Sequence, residues 1–527
     1  MSQNPFLTAV QQYDTYTENG AVSHSTSGNA LLDYFAKAGT FRDRKLSEVF
    51  ADMGKIWGES PVIATQIVFY LRMVTRSTKG FLETSEVQRG QGVRDEYRKA
   101  IHWLAKYHPN SLYPNLWLMP LAGAWKDLWH EDLLGVLRQE AVFELIQRGL
   151  NDEYNSALIA KYLPKIRSKS QLFNPRHKKL NSFALDLCAH LGWTQKEYRQ
   201  FKASGAAHNF QRLMSDGLWD KIDFNRISGK ALFQMANHRG KDGKTTIERH
   251  KMETRYMDWL AGQPTAKFTG YVYELYKAIT PKMSAAQKYT LDKQFDGLIA
   301  LAKQGDNGIK ENVWCALDTS GSMTTSVAGN VTAFDICVSL CLYFSALNEG
   351  SFHNNVIMFD STSRVLQLKG ESFTDKAMQI QRATTAWGST NFQSVIDEIV
   401  RIRKTNPNIA LEHYPTTLLV VSDMQFNAVD GNQQTNYERA MQQLAKVGLP
   451  KMRIIWWWVT GRKQDFPSLA SDEGVTMIGG FDGAIITQIV GGQQTVVDKA
   501  TGQVRQLNAY ENMLKALDQE LLQQIKV

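Results

Sequence analysis

The run Arg453-Ile454-Ile455-Trp456-Trp457-Trp458-Val459 sets apolar side chains at six successive positions. A strand with one wet face alternates apolar with polar, so an unbroken run is buried on both faces. Three adjacent indoles therefore call for a packed layer on each side, and the run reads as a central strand. Further apolar runs at 312–317, 356–359, 416–421 and 475–478 alternate with helical patterns at 334–347, 392–403 and 438–447. That alternation specifies a doubly wound parallel α/β sheet. Residues 494–506, centred on Lys499-Ala500-Thr501-Gly502, read as a hairpin, and 509–523 as a closing helix.

The pattern before residue 305 is different. From Leu31 to about Lys303 helix follows helix: Ser60-Pro61 is an N-cap with a first-turn proline, the stripe Val62, Ile63, Ile67, Val68, Leu71 follows, and Gly80 is the expected stop. Thr194-Gln195-Lys196-Glu197 is a capping box. Short helices separated by Gly, Pro or Asn, with no credible strands, suggest antiparallel pairs stacked as a solenoid, although no strict sequence period is present. Core packing is the preferred reading of Trp103 and Trp117, over base stacking. The expected organisation is a polar arm over 1–30, a helical repeat domain over 31–305, a linker at 304–308, and an α/β domain over 309–527. The 527 residues are ample for this, since one hydrophobic core rarely serves so many.

Charge divides the chain as well. Residues 1–300 hold 41 Lys+Arg against 30 Asp+Glu, and 151–250 alone hold 18 against 9, whereas 301–527 hold 19 against 22. A basic excess of this kind favours a polyanion, because phosphate contacts release counterions. Two clusters stand out: Lys161, Lys165, Arg167 and Lys169 leading to Arg176, His177, Lys178 and Lys179, and then Arg239, Lys241 and Lys244, flanked by His238, Arg249, His250 and Lys251. Both are interrupted by loop formers and read as loops at helix ends, a placement that suits backbone phosphates. A solvated basic face without a ligand is the competing reading.

Four cysteines without a CxxC pair argue against a disulfide scaffold or a zinc ribbon. No secretory signal opens the chain, and the apolar stretch 62–74 falls short of the roughly 20 residues a membrane helix needs. A cytoplasmic protein with no membrane partner is the expectation.

The first α/β strand ends in Leu317-Asp318-Thr319-Ser320-Gly321-Ser322-Met323. Ligands of open α/β sheets bind at the carboxyl ends of strands, and a carboxylate with two hydroxyls is the hard-oxygen set that Mg²⁺ takes. This DxSxS pattern resembles the metal-ion-dependent adhesion site of von Willebrand factor A domains. That family adds a Thr from a second loop and an Asp after a later strand, and the sequence offers Thr390 in Gly388-Ser389-Thr390-Asn391 and Asp423 after 416–421. The resemblance implies Mg²⁺, or another divalent cation, held by Asp318, Ser320, Ser322, Thr390 and Asp423. No histidine accompanies the set, and no Walker A, HExxH or GxSxG motif occurs, so it reads as a binding device and the chain as a non-enzyme.

A basic helical domain followed by such an A domain resembles the TROVE proteins, the family of the Ro 60 kDa autoantigen. The pieces that carry this likeness are Thr17-Glu18-Asn19-Gly20, Ser27-Gly28-Asn29-Ala30-Leu31-Leu32, Gly123-Ala124-Trp125-Lys126-Asp127-Leu128, Lys161-Tyr162-Leu163-Pro164-Lys165, Leu191-Gly192-Trp193-Thr194 and 219–227. The resemblance, nearer to Ro-like relatives than to Ro proteins proper, implies a HEAT-like ring closed by the A domain. It also implies binding of small noncoding or misfolded RNA with single-stranded ends, and an exoribonuclease as a protein partner. The alternative from the residues is a metal-dependent scaffold that captures another protein's Asp or Glu.

Overall fold

The computed structural model describes residues 14–77, 82–83, 86–204, 210–304, 309–384, 387–429, 434–461, 465–491, 494–497 and 502–527. The apolar runs of the second half become the strands β1 (Val313–Asp318), β2 (Asn355–Phe359), β3 (Ser363–Gln367), β4 (Thr417–Ser422), β5 (Arg453–Trp458) and β6 (Val475–Gly479). They form one sheet in the order β6-β5-β4-β1-β2-β3. Five strands are parallel, and β3 is an antiparallel edge on β2. The sheet is therefore mixed rather than wholly parallel. Its short connection from β2 through Asp360–Thr362 reverses the chain, with Asp360 N–H donating to the Thr362 carbonyl at 3.1 Å.

Trp456, Trp457 and Trp458 are at most 1% exposed. Each indole removes roughly 150–250 Å² from water, a gross gain of about 4–6 kcal/mol. Trp456 Nε1 donates to Ser468 Oγ and Trp457 Nε1 to the Gly480 carbonyl, so two of the three also satisfy their N–H. Helix Ala333–Leu347 is apolar almost all round and buried to match, and its start is fixed by a capping box between Thr332 and Asp335.

The chain separates into two compact units, Met1–Arg42 with Ser228–Ala516, and Asp43–Ile227 with Leu517–Val527. This division differs from the one expected at 305. Helices from 229 to 302 share a unit with the sheet through long-range ties: Lys277 Nζ reaches Asp335 Oδ2 at 2.8 Å, Asp292 accepts the Thr374 N–H at 2.8 Å, and Phe295 stacks on Phe373 at 4.2 Å. Helix Ala30–Ala38 joins the same unit beside β6, where a Cβ on Gly479 would lie 2.6 Å from the Ala36 carbonyl oxygen. Linker residues 305–308 lie outside the described residues.

The other unit is helical: Leu46–Glu59, Pro61–Arg72, Asp95–Tyr107, Gln139–Leu150, Glu153–Tyr162, Pro175–Leu191 and Gln195–Ser204 are its main elements. Ser60 caps Pro61–Arg72 by accepting the Ile63 N–H, and Thr194 and Glu197 form the expected box. The helix that Ser60 caps ends at Arg72, and Gly80 lies outside the described residues. A short antiparallel pair, Arg76–Ser77 with Val87–Gln88, is an addition that the sequence did not announce. The closing helix is broken into Ala509–Leu517 and Glu520–Gln523, and Gln519 between them exchanges hydrogen bonds with the Arg89 backbone. That exchange draws the last eleven residues into the helical unit. The expected hairpin is present as Thr495–Val497 against Val504–Gln506, and the rest of its turn, 498–501, lies outside the described residues.

All four cysteines are buried free thiols. Among the described residues no helix is long and apolar enough to cross a membrane.

Candidate functional site

From β1 the chain passes first to β2 on one side of the sheet and later to β4 on the other. A crevice opens where strand order reverses in this way, at the carboxyl ends. Asp318 is the last residue of β1, and Asp423 follows β4 directly, so the two carboxylates flank that switch point.

Asp318 is fully buried. Its Oδ1 accepts the Ser320 N–H at 2.9 Å and its Oδ2 accepts the Ser422 hydroxyl. Ser320 and Ser322 place their hydroxyl oxygens 3.2 Å apart, and Ser322 also bonds to Asp423. Met424 adopts a left-handed φ of 63°, uncommon for a residue with a side chain. The bend lets Met424 N–H donate to Ser422 Oγ at 2.9 Å and Gln425 N–H donate to Asp423 Oδ1 at 3.1 Å. The second loop is joined to the first by Gly321 N–H donating to the Gly388 carbonyl at 2.9 Å, and to the third by Thr390 N–H donating to Asn427 Oδ1 at 3.0 Å. A Cβ at Gly388 would sit 2.4 Å from Ser361 Oγ, so the second loop closes only with glycine there. Thr390 is 1% exposed and Ser322 is half-buried.

Burial raises the Asp318 carboxyl to about 7, with the charge of Asp423 adding to it against the hydrogen bonds from Ser320 and Ser422. Burial also raises Asp423, and the Glu18 charge adds to it against the bonds from Ser322 and Gln425. Two carboxylates are thus gathered where neither is comfortable as an anion, together with hydroxyls on the same loops. Such a donor set fits a hard divalent cation, which would relieve the repulsion and accept neutral oxygens as well. Asp318, Asp423, Ser320, Ser322 and Thr390 are the groups that would hold it. Among the described residues no group of three His, Cys, Asp or Glu side chains is arranged for a metal, so any ion here rests on hydroxyls as much as on acids.

Three contributors escaped the sequence reading. Ser422 fixes Asp318 from the neighbouring strand. Gln425 receives the Glu18 N–H on Oε1 at 2.8 Å and gives Nε2 to Asp465 Oδ2 at 2.9 Å. Asp465, 5% exposed, lies beyond the carboxyl end of β5 and is raised first by burial, with Asp423 contributing, while Lys37 opposes. Its position past a strand end was the available signal.

The basic residues fall in both units. Lys161 closes helix Glu153–Tyr162, Lys165 and Arg167 follow on a loop, and Arg176, His177, Lys178 and Lys179 form the first turns of Pro175–Leu191. This last set is thus helical where a loop was expected. Lys169 begins a short 3₁₀ turn, and its side chain lies outside the described residues. Arg167 N–H donates to Asn181 Oδ1 at 2.8 Å, which fastens the loop to that helix. Arg176 alone of these side chains meets an acid among the described residues, Glu131 at 3.3 Å. Lys202 joins the group, its Nζ directed at the Ala160 and Lys161 carbonyls; burial lowers its pKa, and the charge of Lys165 lowers it further. Phe173 beside them is 86% exposed.

Arg239, Lys241 and Lys244 belong to the sheet's unit. There Arg239 is committed to Gly243 O, Gln287 and Glu248, and neighbouring Arg249 to Asp242. The two clusters therefore belong to different units, and in the second the two arginines are paired with acids, Arg239 with Glu248 and Arg249 with Asp242.

Residues 313–523 match a domain of unknown function, DUF7788, and residues 17–153 match another, DUF2828. Over 524 residues the chain is 25% identical to the uncharacterized protein L728 of Acanthamoeba polyphaga mimivirus, covering 91% of this chain and 85% of the relative.

Proposed function

We propose that the protein is a non-enzymatic RNA-binding protein of the TROVE kind, whose helical unit grips phosphates and whose α/β unit is a von Willebrand A-type domain with a divalent-cation site. The observation that carries the RNA reading is the basic excess over 151–250, 18 Lys+Arg against 9 Asp+Glu, within which Lys165 adds to burial in lowering the pKa of Lys202. Like charges held together repel, and a polyanion removes that cost. Exposed Phe173 supports single-stranded RNA, because a base stacks on an aromatic face whatever its sequence. The short capped helices support a HEAT-like arrangement, and the DxSxS loop at the switch point supports the A-type assignment with Mg²⁺ as cofactor. Cytoplasmic residence and an exoribonuclease partner belong to the same reading.

The test is binding of a structured RNA with a single-stranded tail, measured against salt. Lys178→Glu with Lys179→Glu is expected to weaken every RNA together and to flatten the salt dependence, by about 0.7 in log–log slope for each single-strand phosphate that is no longer neutralised. Protein purified at low salt is expected to carry RNA, seen as a high 260/280 nm ratio that falls after ribonuclease. Unchanged binding by the double variant together with a clean ratio overturns the RNA reading. The second reading, a metal-dependent interaction module, is favoured by the crevice itself, since an ion on mixed oxygens leaves coordination for a partner's acid. Loss of protein capture in Asp423→Ala, with no RNA bound by either form, would establish it instead.

A further inference from the structure

The polar arm expected over 1–30 is, over its described part, docked on the loops that carry Thr390 and Asp423. Thr15–Tyr16 pairs with Val22–Ser23, and the turn Thr17–Ala21 between them carries Gly20 at a φ of 79°. This turn docks on the loop after β4. Thr17 Oγ1 donates to the Phe426 carbonyl at 2.6 Å, Glu18 N–H to Gln425 Oε1 at 2.8 Å, and Asn19 Nδ2 to the Gln425 carbonyl at 2.6 Å. Asn19 Nδ2 also reaches Thr390 Oγ1 at 3.3 Å, and the Asn19 carbonyl accepts the Ala428 N–H at 3.2 Å. Further along, His24 and Phe466 exchange N–H···O bonds of 3.0 and 2.8 Å, which anchors the hairpin to the segment after β5.

The contacts select the same loops that carry Thr390 and Asp423. They also fix residue 18, through its backbone, on Gln425, two residues past Asp423. Glu18 is exposed. Its charge is nevertheless felt at Asp423. A further acid brought to Asp318 and Asp423 is unfavourable in isolation and favourable beside a cation. Asp465 is a further carboxyl near the site: it is 5% exposed, its Oδ1 has no hydrogen-bond partner among the described residues, and the buried Lys37, whose Nζ donates to the Asp465 carbonyl at 3.0 Å, offsets part of its charge.

We propose that the Thr17–Ala21 turn is the resident occupant of the cation site: Glu18 closes on a bound divalent ion from within the chain, and an acidic group from another protein binds only by displacing the arm. This inference rests on the cation reading above. Glu18 then sets the threshold for partner capture, because any external carboxylate competes with a tethered one at high effective concentration.

The experiment uses the full chain, its Glu18→Gln form and its Asp423→Ala form. Mn²⁺ binding is followed by electron paramagnetic resonance, and hydrogen exchange over residues 14–24 is followed with and without Mg²⁺. Mn²⁺ is expected to bind the parent protein, at least about tenfold more weakly Glu18→Gln, and not Asp423→Ala. Mg²⁺ is expected to slow exchange in the arm by about tenfold or more in the parent and to leave Glu18→Gln unaltered. A short glutamate peptide added with Mg²⁺ should restore fast exchange. Equal Mn²⁺ binding by parent and Glu18→Gln, with arm exchange indifferent to Mg²⁺, overturns the arm's role and leaves the cation site standing. Absence of saturable Mn²⁺ binding in the parent overturns both. Glu18 is a surface residue, so its variant tests the proposal even where Asp423→Ala fails to fold.

Discussion

Asp127→Ala is expected to loosen the helical unit by about 4 kcal/mol. Asp127 is fully buried, and its Oδ2 lies 2.8 Å from Arg72 Nη2, 2.9 Å from Arg72 Nε and 3.1 Å from the Ala124 N–H. Arg98 approaches its other oxygen at 3.5 Å. Truncation leaves Arg72, at 4% exposure, as an uncompensated charge in the interior, and removing one partner of a buried pair costs about 3–5 kcal/mol. The exposed pair Arg401–Glu398, also a close contact at 2.6 Å, is the control, and Arg401→Ala should cost less than about 1 kcal/mol. Hydrogen exchange in helices Pro61–Arg72 and Asp95–Tyr107 reads the loss locally, free of the sheet's unit; about 4 kcal/mol corresponds to an open population roughly a thousandfold larger. Gly123→Ala provides a second approach to the same pair, since its Cβ would lie 2.4 Å from Asp127 Oδ2 and 2.7 Å from Arg72 Nε. If Asp127→Ala opens these helices no more than the surface control does, the pair does not hold a buried charge that matters to the helical unit.

Phe173→Ala should weaken single-stranded RNA by about 1–3 kcal/mol while leaving the salt slope unchanged, which fluorescence anisotropy at several salt concentrations separates from the effect of the lysines. Mg²⁺ at about a hundred times its dissociation constant should stabilise the sheet's unit by about 2.7 kcal/mol, read by urea unfolding, and Asp423→Ala should abolish the increment. Lys37 is buried over the Phe466 ring at 3.9 Å, and burial pulls its pKa down to about 8 against the charges of Asp465 and Asp33. The unfolded chain keeps that proton up to about 10.4, so stability should rise between about pH 8 and that value by about 3 kcal/mol. An NMR titration of ¹³Cε-labelled lysine should show two resonances with midpoints near 8, from Lys37 and from Lys515, which burial lowers likewise; Lys37→Met removes the first, and a Lys37 midpoint above about 10 would refute the assignment.

Local chemistry and long-range packing divide what the residues disclosed in advance. Strands expected at 312–317, 416–421 and 453–459 appear at Val313–Asp318, Thr417–Ser422 and Arg453–Trp458, because burial on both faces imposes an unbroken apolar run that needs no knowledge of the partner. Caps at Ser60 and Thr194 were legible for a similar reason, since donor and acceptor lie three residues apart. Strand β3 was not: Ser363, Val365 and Gln367 alternate with Arg364 and Leu366 at a half-wet edge, and neither face is apolar enough to mark a strand. The site divides along the same line. Asp318, Ser320 and Ser322 belong to one loop and declare themselves, whereas Ser422 meets Asp318 across 104 positions and Glu18 meets Gln425 across 407. The division into compact units differs from the boundary expected at 305 for this cause too. Helices between 229 and 302 have the same period and caps as those before them, and only pairs such as Lys277 with Asp335 and Phe295 with Phe373 assign them to the sheet. A helix's period states that one face will be covered and not by what. The arm shows how far that reasoning extends: Thr17-Glu18-Asn19-Gly20 has no core-facing period because its side chains and backbone are spent on loop carbonyls, amides and a hydroxyl. Polar composition in a segment of this kind therefore marks a surface that is read by hydrogen bonds, and it carries no information about whether the segment is ordered.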